Sequence, residues 1–108
     1  MKLFILLKQE LVAKTLLHDA MAFGAKEATG ANDADLIICD DPHKIKDMLM
    51  DNQLATAIEY HTTMKETPSR LCETGHPLEG RVVPGYVVTE EGQHSIVIEI
   101  MKRLATPA

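Results

Sequence analysis

Three side chains stand where the chain leaves an apolar run, and each offers a distinct chemistry. Lys8 follows residues 3–7, Asp40 follows residues 36–39, and His61 lies near the end of an alternating stretch over residues 54–63. A lysine binds anions or polarises a carbonyl, an aspartate takes up a proton or a hard metal ion, and a histidine moves protons near neutral pH. If the three runs are parallel strands, these residues share one edge, because ligands of such sheets sit beyond the carboxyl ends of the strands. They are the catalytic candidates. Gln9, Asp41, Thr62 and Thr63 fall at the same edge as candidate ligand-binding groups. Several also have a purely architectural explanation: Asp41 before Pro42 is a good N-cap, Lys8 terminates a strand, and His61 is a surface residue of a half-buried strand.

A second constellation shares these segments. Cys39 and Cys72 each have a histidine four positions on, His43 and His76. Two thiolates and two imidazoles make a tetrahedral zinc set, and the loop around Gly75 could carry the second pair to the first. The competing expectation is no cofactor, with one buried thiol and one loop thiol. Magnesium at Asp40 and Asp41 is disfavoured, since adjacent carboxylates point in different directions on most backbones. Glycine-rich phosphate cradles are absent, as is the Gly-x-Ser-x-Gly signature of covalent hydrolases; the serines are Ser69 and Ser95.

The elements that must position these groups follow from patterning. Residues 3–7 form a continuous apolar run, expected as a strand buried on both faces. From Glu10 to about Lys26, Val12, Leu16, Ala20 and Phe23 make a helical stripe, with Glu10, Lys14 and His18 on the solvated face. Residues 36–39 are a second strand, and Asp41-Pro42 starts a helix running to about Asn52. In residues 54–63, Thr56, Ile58, Tyr60 and Thr62 alternate with Ala57, Glu59 and His61, which favours a third strand. Residues 67–80, with Pro68, Gly75, Pro77 and Gly80, read as a long loop. A C-terminal β-hairpin is expected from residues 86–88 and 95–101 around a turn at 90–93, with Pro84-Gly85 marking an edge or bulge.

The fold class is therefore α/β, a single domain over residues 1–108 with a parallel-type β-α-β-α-β start. The opening residues 2–11, with Lys14, resemble the first strand and helix start of the archaeal-type peptidyl-tRNA hydrolases. That family's helical glutamine and histidine pattern after the lysine is absent here, so no residue role is carried over. The strand-helix order is similar to that of small cytoplasmic subunits of sugar phosphotransfer systems, with Gln9 where their phosphorylated cysteine stands.

Composition narrows the function further. With 11 basic and 16 acidic residues the formal charge is −5, and no cluster of Lys and Arg is present to bind a phosphate backbone. Two Phe, two Tyr and no Trp leave little for base stacking, so no nucleic-acid partner is expected. No apolar run is long enough to enter a membrane, and two cysteines make no disulfide framework, which points to the cytoplasm. The expected function is a small ligand- or protein-binding regulatory module without turnover. The alternative is a small hydrolytic or metal-assisted enzyme using Lys8, Asp40 and His61. A homodimer is expected, because an open α/β sheet exposes edges and residues 96–101 are apolar enough to pair with a second copy.

Overall fold

Aliphatic runs uninterrupted by charge can be buried on both faces, and here they form the centre of a parallel sheet. The computed structural model describes residues 1–63, 66–88, 100, 102 and 103. Its strands are β1 (Lys2–Leu6), β2 (Lys26–Glu27), β3 (Leu36–Cys39), β4 (Thr56–Thr63) and β5 (Val82–Val88). All pairings are parallel, in the order β2-β1-β3-β4-β5. Helix α1 (Glu10–Ala22) follows β1, and α2 (Pro42–Asp51) follows β3.

The alternation of each strand divides the core into two layers. On one face Leu3, Leu36, Ile38 and Ile58 meet Leu16 and Ala20 of α1, together with Ile100. On the other, Ile37, Cys39, Ala57 and Val82 meet Ile45 and Leu49 of α2, with Leu71 and Leu78. β3 is enclosed by both layers, and all four of its residues are fully buried. At the start of α2 the Asp41 carboxylate accepts the His43 N–H at 2.9 Å, and Pro42 occupies the first turn, as expected of this pair.

The expected β-α-β-α-β start is present, and two details differ: the end of the first helix and the C-terminal hairpin. Helix α1 ends at Ala22, because Gly24 takes φ +103° and turns the chain so that Lys26 and Glu27 pair beside Lys2 and Leu3 as β2. Residues 67–80 form the expected long loop, packed against the sheet. A 3₁₀ turn at Arg70–Cys72 and the buried Leu71 and Leu78 seat them on the α2 side. Pro84-Gly85 lies within β5, which is outermost among the described strands, in keeping with the edge position expected there. The C-terminal hairpin is not supported. β5 pairs parallel with β4, and Ile100, expected in the hairpin's second arm, is helical and buried on the α1 side. The turn at 90–93 and residues 95–99 lie outside the described residues.

Candidate functional site

The strand order fixes where a cleft can open. Chain leaving β1 enters α1 on one face, and chain leaving β3 enters α2 on the other, so a crevice forms where the two diverge. A cleft of about 380 Å³ lies there, lined by Lys8, Gln9, Asp40, His61 and Thr62 among others. The three catalytic candidates and two of the four ligand-binding candidates thus share one cavity. Asp41 does not line it, since its carboxylate is spent capping α2. Thr63 ends β4, and its side chain lies outside the described residues.

Asp40 closes the crevice at its root: its Oδ2 accepts the backbone N–H of Lys8 at 2.9 Å. Tyr60 forms part of the wall, and burial pushes its hydroxyl upward, reinforced by the Asp40 and Glu66 charges.

A polar cluster surrounds His61, whose side chain is 12% exposed. Its Nε2 lies 2.6 Å from Oε2 of Glu59, and its Nδ1 lies 3.0 Å from Oε2 of Glu66. The ring stacks on Tyr86 with centroids 5.5 Å apart. Glu59 is fully buried; its Oε2 also accepts the Ser69 N–H at 2.9 Å and faces the Cys72 thiol at 4.0 Å. Its Oε1 has no hydrogen-bond partner among the described residues. Burying a carboxylate costs several kcal/mol unless it is paired and hydrogen-bonded, so His61 and Ser69 are what make Glu59 tolerable in this layer. Glu66 uses both oxygens, since Oε1 accepts the Thr62 N–H at 3.2 Å. The hydrogen bond from His61 holds the Glu66 carboxyl below the usual range, helped by the Thr62 N–H.

Patterning singled out His61 but missed Glu59, Glu66 and Ser69. Glu59 carried a usable signal: two residues before His61 on a strand, it must share the face that Ala57 buries. Glu66 and Ser69 carried none, because they reach the site from the chain beyond β4.

The proposed zinc set does not assemble. Among the described residues no group of three or more His, Cys, Asp or Glu converges as a metal cage. Each candidate has another local role. The Cys39 sulfur accepts the Asp41 N–H in its own turn, and burial raises its thiol, with Asp40 and Asp41 adding to the shift. The backbone of His43 sits in the α2 cap. Cys72 faces Glu59, and burial foremost, then the Glu59 charge, pushes its thiol up to about 11. The His76 Nδ1 accepts the Leu78 N–H at 3.0 Å. The groups available for binding are therefore those of the rim cleft, with Lys8 and Asp40 opposite in charge. Compared with protein-family models, with curated proteins and with solved structures, the chain finds no match, so its function is argued from these residues alone.

Proposed function

We propose that this protein binds a small polar ligand in the rim cleft without turning it over, as a regulatory module of the cytoplasm. The observation that supports this reading is the engagement of both His61 ring nitrogens by carboxylates, so that while Glu66 is seated neither nitrogen faces a bound molecule with its hydrogen-bonding capacity unused. Lys8 and Asp40 then act as charge contacts for the ligand, and Gln9 and Thr62 as hydrogen-bonding groups. A protein partner that reads the occupied cleft, and a second copy of the chain, belong to the same proposal.

Titration of ¹⁵N-labelled protein with a panel of amino acids, nucleotides and small carboxylic acids tests it. A binder is expected to shift the amides of Gln9, Asp40 and Thr62 and to be recovered unchanged. Shifts confined to residues away from the rim would remove the reading.

A second reading, a small hydrolytic or metal-assisted enzyme, draws on Lys8, Asp40 and His61 lining the same cavity. It requires Glu66 to swing off the imidazole before His61 can act. Turnover of ester, phosphoester or amide substrates that vanishes in both Asp40→Asn and His61→Ala would replace the binding reading with this one.

A further inference from the structure

We propose that His61 is a proton-operated tie holding one wall of the rim cleft in place. Glu66, Thr67 and Ser69 line the cleft together with Lys8 and Asp40. Within that wall, Glu66 is bound to the Thr62 N–H and to His61 Nδ1, and the Ser69 N–H is bound to Glu59, which in turn meets His61 Nε2. The two carboxylates that anchor the wall are thus joined through one imidazole.

A neutral imidazole offers one N–H and one lone pair. Two carboxylate oxygens face this ring, so both contacts are hydrogen bonds only when the Glu59–His61–Glu66 cluster holds one proton more than the neutral ring supplies. Loss of that proton sets a ring lone pair against a carboxylate oxygen. Glu59, fully buried, has no room to move away, whereas Glu66 has a side chain 45% exposed and can turn into solvent. The bond that opens is therefore the one to Glu66, and its Thr62 contact goes with it.

Among the described residues, the groups facing the imidazole are Glu59 on β4, Glu66 beyond it and Tyr86 on β5, with Cys72 of the 3₁₀ turn behind Glu59. Burial raises both Tyr86 and Cys72, so these two stay uncharged at neutral pH. Asp40 and Lys8, of opposite sign, share the cleft.

Control of ligand access by this tie rests on the binding reading above; the tie itself does not, and it is tested in the protein alone. Amide hydrogen exchange of Thr62, whose N–H bonds to Glu66, is measured relative to its unfolded rate from about pH 5 to about pH 8. Protection is expected to be greatest at the acid end and to fall by up to about tenfold per pH unit as the proton leaves. The fall should be absent in His61→Gln. Protection independent of pH in the natural chain, or the same slope in His61→Gln, overturns the tie. If His61→Gln does not fold, Glu66→Gln takes its place, and a retained slope there overturns it equally. A slope without any ligand-induced shifts at the rim keeps the tie and removes the binding reading; shifts without a slope do the reverse.

Discussion

The backbone N–H of Lys8 donates to the Asp40 carboxylate at 2.9 Å, joining the end of β1 to the end of β3 at the point where the strand order reverses. Asp40→Ala is expected to lower the unfolding free energy by about 1 kcal/mol, as for a partly exposed hydrogen bond. Asp40→Asn keeps an acceptor and should lose less. Urea denaturation measures both, and an Asp40→Ala protein as stable as the natural one would deny the bond any weight.

Arg81 closes the far end of α2. Its guanidinium donates to the carbonyls of Asn52 and Ala55 at 2.8 and 2.9 Å, and to that of Leu49 at 3.3 Å. The Leu49 and Asn52 carbonyls are among the acceptors a helix leaves unpaired at its C-terminus, and Ala55 follows in the turn to β4. Arg81→Met keeps the aliphatic stem and strands the carbonyls, so a loss of about 2 kcal/mol is expected on chemical denaturation. A loss under about 0.5 kcal/mol, the range of an ordinary surface substitution, would mean that water replaces the guanidinium without cost.

Glu66 gives the fold an acid-sensitive component. Its carboxyl is held below its ordinary value of 4.5, chiefly by the bond from His61. A lowered carboxyl contributes stability that is complete above the ordinary value and drains away as pH falls through the lower native one. The stability difference between the natural chain and Glu66→Gln should therefore shrink as pH is taken from about 6 to about 3. Urea midpoints across that range measure it, and a constant difference would contradict the assignment.

Cys72 should be a poor nucleophile. With its thiol pushed up to about 11 from an ordinary 9.0, the thiolate population in mild base is roughly a hundredfold below that of an unfolded chain. Alkylation by iodoacetamide at about pH 8 should be slow in the native protein and fast in urea. Glu59→Gln should speed the native reaction only in part, because burial, the larger cause, remains. Rapid alkylation of the native natural chain would show that Cys72 is less enclosed than the structure has it.

What was legible in the sequence was local. Asp41-Pro42 specified its cap within three residues, and the alternation from Thr56 to Thr63 chose a strand, because both signals are written into neighbouring residues. Lys8, Asp40 and His61 were grouped because strand ends in parallel sheets share an edge, and the three do line one cleft. β2 escaped notice because two charged residues, Lys26 and Glu27, carry no strand pattern and pair only where Gly24 redirects them. The Glu59–Glu66 bracket around His61 escaped for a different reason: it needs the chain beyond β4 to fold back, and no spacing rule encodes that return. The Cys-His spacing carries no information on whether its loops meet, and among the described residues the four side chains do not form a metal cage.

Pro84 gives β5 a sidedness. The Ala57 N–H donates to the Arg81 carbonyl at 2.7 Å, and groups that face β4 recur at every second residue, so position 84 faces away from it. A proline there has no N–H to offer. A strand laid along the outer margin of β5 would find a missing rung at the middle of its ladder. Among the described strands, the order that begins at β2 therefore ends on a margin with one donor fewer than a regular strand would offer, which weakens any pairing of a second sheet there.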